Sequence, residues 1–185
     1  MKKILLSLIL LISASMAFAQ KDTVGLNIPV KDGSVVYERV VEIPNKPKAD
    51  LYKNAKQWFV DYFKSSKDVI QSEDKEDGKI VGKGIISVLF NGAMGMKVMY
   101  DDKVSVQVDC KDNKYRIRIY GQVISSPNGG QVTTTPEELI GKLLGTGKSQ
   151  LNDKQARRML ESMNTEVLAM LDSIQKAMGA KTDDF

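Results

Sequence analysis

The sequence of 185 residues contains no histidine and only one cysteine. Without an imidazole, the chain cannot form a histidine-based catalytic triad, a histidine proton shuttle or the usual histidine zinc sites. A single cysteine cannot close an internal disulfide. With 42% hydrophobic and 27% charged residues, the composition is that of an ordinary globular protein, and the length suits one domain.

Long apolar runs are also scarce, and the one at the N-terminus is short. Lys2 and Lys3 precede an apolar stretch over residues 4–12, and Ala17-Phe18-Ala19 supplies the small residues that signal peptidase recognises. The stretch is too short to span a bilayer. Residues 1–19 are therefore predicted to be a signal peptide. We expect the mature protein to be exported, to the periplasm or the extracellular space, with no membrane span.

The net charge of the chain is also small. Loss of Lys2 and Lys3 leaves 25 basic and 23 acidic residues, a net charge of +2. This small charge argues against a nucleic-acid partner. The stretch from Gly141 to Ser149 contains Gly-Lys-Ser, but the first glycine of a phosphate-binding loop is displaced by one residue and no strand precedes it. No nucleotide, cofactor or metal ion is predicted to bind.

Apolar residues at spacings of three and four predict two main helices. The first covers about 47–64, where Trp58 and Phe59 are expected to anchor it in the core. The second runs from its cap Asn152 to about Met178. Its apolar stripe consists of Met159, Met163, Val167, Met170, Leu171, Ile174 and Met178.

Alternating and β-branched segments predict about five strands, at 35–43, 67–74, 79–90, 104–110 and 115–120. Gly82 and Gly84 within the third strand indicate a bulge or the close approach of a helix. The order β-α-β-β-β-β-α predicts an α+β fold, an antiparallel sheet with the helices on one face. This single domain covers 34–180. A flexible tether over 20–33 precedes it, and 127–150 form a loop and a short helix.

Several short motifs occur in a recognisable order. They are Val36-Tyr37-Glu38-Arg39-Val40-Val41-Glu42-Ile43-Pro44, Ala49-Asp50-Leu51-Tyr52, Ala55-Lys56-Gln57-Trp58-Phe59, Asp68-Val69-Ile70-Gln71, Gly78-Lys79-Ile80-Val81-Gly82-Lys83-Gly84 and Lys114-Tyr115-Arg116. Over about residues 34–126 the chain resembles a family of secreted bacterial proteins catalogued as a domain of unknown function with a TBP-like fold. The resemblance implies a curved antiparallel sheet with two helices on one face. It implies no activity, because the family has none assigned.

The predicted sheet has one side that faces away from the helices. Strict alternation over 115–120 places Arg116, Arg118 and Tyr120 on that side, and Glu38 can join them from the first strand. Two interpretations remain open. The side is either a solvated surface with Arg–Glu pairs, or a binding face for a small anionic ligand or an envelope protein.

The sequence therefore favours an exported binding or interaction module without enzymatic activity, and no catalytic residue is assigned. The alternative is a carboxylate-dependent hydrolase, such as a glycoside hydrolase. The distance between two catalytic carboxyl groups is set by the fold, so the spacing of acidic residues in the sequence does not decide this point.

Overall fold

The computed structural model describes residues 24–63, 69–91, 96–127 and 132–179, so the predicted signal peptide lies outside the described residues. The strands are β1 (Val30–Lys31), β2 (Ser34–Glu42), β3 (Ile70–Asp74), β4 (Lys79–Asn91), β5 (Lys97–Lys111), β6 (Lys114–Ser125) and β7 (Thr133–Thr134). The helices are α1 (Lys48–Phe63), α2 (Pro136–Leu143) and α3 (Asp153–Gly179). The predicted α+β class is confirmed.

All strand pairs among the described residues are antiparallel, in the order β1-β2-β6-β5-β4-β3, with β7 beside β6. The described chain thus has seven strands where about five were predicted. β1 and β7 contain two residues each, which is too short to show alternation. β5 starts at Lys97 rather than at 104, because Asp101 and Asp102 resemble turn residues in the sequence.

The segment predicted to be a flexible tether is partly folded. Ile28 is 1% exposed, and Val30 pairs with Val35 across a turn at Asp32 and Gly33. Both turn residues have positive φ values, 51° and 80°, which suit a tight hairpin. Residues 28–33 of the predicted tether thus contain a buried isoleucine and a two-residue strand, neither of which leaves a periodic signal in the sequence.

Glycine in β4 brings α1 close to the sheet. A Cβ atom at Gly82 would lie 2.5 Å from Cε1 of Phe59, and Gly84 faces the same helix. The structure thus shows close helix packing at these positions. Trp58 and Phe59 are buried as predicted, and the indole N–H of Trp58 donates to Oγ of Ser173 in α3 at 3.1 Å.

Helix α3 packs on the same side of the sheet. It begins with the predicted cap, in which the Gln155 N–H donates to Oδ1 of Asn152 and the Asn152 N–H donates to Oε1 of Gln155, both at 3.0 Å. All seven residues of its predicted apolar stripe are buried. Its Asn164 side chain accepts a hydrogen bond from the Tyr37 hydroxyl of β2 at 2.7 Å. None of the described helices has the length and apolarity needed to cross a bilayer.

Candidate ligand-binding face

The outer face of the sheet is the side that points away from α1 and α3. Glu38 on β2, Arg118 on β6 and Gln107 on β5 are register partners, so they form one row across this face. Arg116 lies in the row on one side and Tyr120 in the row on the other. Rows lie about 7 Å apart along the strands, and partners within a row about 5 Å apart. The register therefore places these side chains on one face of the sheet, as the alternation in the sequence predicted.

A chain of polar contacts connects the two arginines. Nε and Nη2 of Arg116 lie 3.0 and 2.9 Å from Oδ2 of Asp109. Nε2 of Gln107 donates to Oδ1 of Asp109 at 2.7 Å, and Nη2 of Arg118 donates to Oε1 of Gln107 at 2.8 Å. Arg116 is therefore neutralised directly by a carboxylate, whereas Arg118 is reached only through a neutral amide.

Arg118 keeps hydrogen-bonding capacity that the described residues do not use. Its Nε is enclosed without an acceptor, and its Cζ lies 5.9 Å from the centre of the Tyr120 ring. Glu38 is its register partner, yet no ion pair joins the two side chains in the described part of the chain. The guanidinium is thus held in place beside a ring without a carboxylate of its own, and its fork suits a carboxylate or phosphate.

A β-bulge at Gly121 shapes the neighbouring part of the outer face. Between the pairs Ser105–Tyr120 and Lys103–Val123, β6 contains one residue more than β5. Gly121 has φ 64°, a left-handed conformation that glycine adopts without strain. Beyond the bulge the alternation of β6 is shifted by one, so that its even-numbered residues point toward the helices.

A depression of about 350 Å³ opens on the outer face beside the bulge. Its lining contains two basic side chains, one hydroxyl and several apolar or glycine residues. These are Lys83, Gly84, Ile85, Lys103, Val104, Ser105, Gly121 and Val123. The depression adjoins the row that contains Tyr120, so it is continuous with the surface around Arg118.

Other reactive groups of the chain are poorly placed for chemistry at the surface. Burial raises the pKa of the Cys110 thiol to about 12. Asp102 is fully buried on the helix-covered side of the sheet. The backbone N–H groups of Thr146 and Gly147 donate to the Gly141 carbonyl at 2.8 and 3.0 Å, so they are not available to a phosphate. Among the described residues, no group of three or more Asp, Glu or Cys is placed to hold a metal ion.

Sequence reasoning found the arginines of this face but not all of their surroundings. It did not find the pairing of Arg116 with Asp109 or the position of Lys103 beside Lys83, because both depend on strand register. Gly121 did offer a signal, since a glycine inside an alternating strand often marks a bulge. The binding role of Arg116, Arg118, Tyr120 and Glu38 remains a prediction.

Comparison with known proteins identifies the fold. Residues 37–122 match a family model described as a domain of unknown function (DUF4468) with TBP-like fold. The chain is similar to the crystal structure of a DUF4468 family protein from Bacteroides ovatus, with a TM-score of 0.68 and 19% identity over 85% of this chain and 94% of that one. It is also similar to a TBP-like protein from Parabacteroides distasonis, with a TM-score of 0.63 and 21% identity over 83% of this chain and 99% of that one.

No curated protein matches the sequence. At such identities the structural similarities establish the fold and do not assign a ligand. Residues 37–122 therefore match the DUF4468 domain, and the fold of the chain is TBP-like, as its sequence motifs indicated.

Proposed function

We propose that the protein is an exported, non-enzymatic binding module that holds an anionic group on the outer face of its sheet. The group belongs to a small ligand or to another protein of the cell envelope. The single observation that carries this proposal is the different state of two neighbouring arginines. Among the described residues, Arg116 has a carboxylate partner in Asp109, whereas Arg118 has the Gln107 amide and no carboxylate.

The surroundings of Arg118 favour binding over a purely structural role. Its guanidinium is fixed by Gln107 on one side and lies near the Tyr120 ring on the other. A positioned cation loses less conformational entropy when it binds an anion than a free surface side chain does. The aromatic ring next to it offers apolar contact area, and Arg and Tyr are enriched at the energetic centres of interfaces.

The test compares Arg118→Gln with Arg116→Gln, a matched pair that removes one charge from the same face of the same strand. Purified wild-type and variant proteins are incubated with the envelope fraction of the source cells, and retained proteins and small molecules are identified by mass spectrometry. We expect Arg118→Gln to weaken retention of a specific partner about 10- to 100-fold, the effect of losing a charge-assisted hydrogen bond worth about 1.5–3 kcal/mol.

Thermal unfolding of the two variants provides the control. Arg116→Gln should keep the partner and lose at most about 1 kcal/mol of stability, because its ion pair with Asp109 is partly exposed. The proposal fails if Arg118→Gln retains everything that the wild type retains. It also fails if both variants lose the partner equally, since the contrast between the arginines would then have no functional meaning.

A further inference from the structure

We infer that the depression beside the Gly121 bulge binds a small amphipathic anion, an organic acid or phosphate monoester that carries a short apolar group. This inference rests on the proposed function, because it assigns a ligand class to one part of the outer face. It uses residues other than the arginines, so it can be tested separately.

Two lysines give the depression its positive charge. Lys83 is the register partner of Ser105, and Lys103 is the register partner of Ile85, so the two lysines are diagonal neighbours on β4 and β5. Diagonal side chains in an antiparallel pair lie about 7–8 Å apart or less. Neither ammonium group has a hydrogen bond or ion pair with a residue that the structure describes, and no acidic residue lines the depression. An anion between them would relieve their repulsion.

The bulge leaves room for a ligand next to these charges. A Cβ atom at Gly121 would contact Oγ of Ser105 at 3.6 Å, so the lack of a side chain at Gly121 leaves space beside this serine, which is itself only 7% exposed. The Ser105 hydroxyl and the two ammonium groups are three donors around one space. The volume of about 350 Å³ is near the lower end of the range typical of small-molecule sites.

Apolar side chains beside the lysines define the other half of the ligand. Ile85 is 54% exposed although it is a large aliphatic residue, and Val123 forms part of the opposite wall. Along the same face of the β4–β5 hairpin, Leu89 and Met99 are register partners and are 40% and 52% exposed. A purely inorganic anion would leave these surfaces in water, whereas an apolar group attached to the anion would cover the nearest of them.

The experiment titrates the ¹⁵N-labelled protein with four probes and follows backbone amide shifts by NMR. Hexanoate and hexyl phosphate carry both charge and chain, acetate carries charge alone, and hexanol carries the chain alone. We expect hexanoate or hexyl phosphate to shift the amides of Gly84, Gly121 and Val123, with an affinity at least about ten-fold higher than that of acetate because of the added methylene groups.

Variants then locate the site. Lys83→Met combined with Lys103→Met should weaken hexanoate binding at least ten-fold, whereas the charge-matched control, Lys79→Met combined with Lys111→Met, should leave it unchanged. Equal binding of acetate and hexanoate, or binding of hexanol alone, overturns the assigned ligand class. Shifts confined to the amides around Arg116 and Arg118 overturn this site but leave the proposed function intact. The site is likewise overturned, and the proposed function kept, if Arg118→Gln loses the partner while the double lysine variant binds hexanoate as tightly as the wild type does.

Discussion

Asp102 is a carboxyl group fully enclosed by protein. It lies on the helix-covered side of the sheet between Ile86 of β4 and Ile124 of β6, and neither of its oxygens has a hydrogen-bond partner in the described chain. Burial raises the pKa of Asp102 to about 7, and the nearby Gln122 side chain and Val123 backbone offset only part of that rise. The folded protein therefore keeps a proton at a pH at which an exposed carboxyl group has lost it.

We expect this carboxyl group to make folding stability fall as pH rises from about 4 to about 7. The unfolded chain releases the proton near pH 3.9, whereas the folded chain releases it only near 7, so the folded state binds more protons in this window. Asp102→Asn cannot ionise. At pH 8 it should raise the free energy of unfolding by up to about 4 kcal/mol, as measured by urea denaturation.

The comparison with wild type isolates the contribution of Asp102. Lys56 and Tyr52 lower the pKa of Glu73. The stability that Glu73 contributes is therefore lost as pH falls, whereas the stability that Asp102 contributes is lost as pH rises. Asp101→Asn, one residue away on the outer face, is the matched control. This variant keeps the buried carboxyl group of Asp102, so its stability should still fall as pH rises from about 4 to about 7. A constant difference for Asp102→Asn would contradict a buried carboxyl group that holds its proton.

At the residue scale, the alternation of β6 was predictable only up to the bulge. The pattern from Tyr115 to Tyr120 placed Arg116 and Arg118 on the outer face, and the register agrees. The burial of Asp102 could not be predicted, because an aspartate in a polar stretch of sequence more often forms a turn. Its position follows from a strand that continues through it, and the strand is held by partners far away in the sequence.

At the scale of contacts between elements, the glycines of β4 allow α1 to pack close against the sheet. Phe59 of α1 is 0% exposed and lies where a Cβ atom at Gly82 would be. We expect Gly82→Ala to reduce the free energy of unfolding by about 1–3 kcal/mol, because the aromatic ring and the helix backbone must shift to accommodate one methyl group. Urea denaturation monitored by Trp58 fluorescence measures the change.

Gly179→Ala is the control for this substitution. A Cβ atom at Gly179, the last residue of α3, would have no atom within 4 Å. Alanine there should be neutral or slightly stabilising, since it restricts the unfolded chain and favours the helix. If Gly82→Ala proved as stable as Gly179→Ala, the close packing of α1 on β4 would not hold in solution.

At the element scale, helices were predicted more accurately than strands. The cap at Asn152 and a periodic apolar stripe define α3 from local signals alone. The ends of β5 and the short strands β1 and β7 were missed, because a strand is stabilised by its neighbours and its own residues carry little information about where pairing stops. The pairing of Arg116 with Asp109 was missed for the same reason, because it is set by the register between β5 and β6.

At the scale of the whole molecule, the prediction of export rests on the N-terminal sequence. We expect cleavage between Ala19 and Gln20. The mass of the protein isolated from its source should therefore be that of a chain that begins at Gln20, with or without cyclisation of that glutamine. Intact-mass spectrometry of the protein from the envelope and from the culture medium measures this. A chain that retains Met1 in those fractions would contradict the predicted signal peptide.

The position of β2 in the sheet has a consequence for chain entropy. β5 and β6 are joined by the two residues Asp112 and Asn113, whereas about 70 residues separate β2 from its partner β6. Closing a loop costs about 0.6 kcal/mol more for each doubling of its length, so the pairing of β2 costs about 3 kcal/mol more to close. We therefore expect the β4–β5–β6 meander to form before β2 is attached, so that Glu38 reaches its place beside Arg118 only after this longer loop has closed.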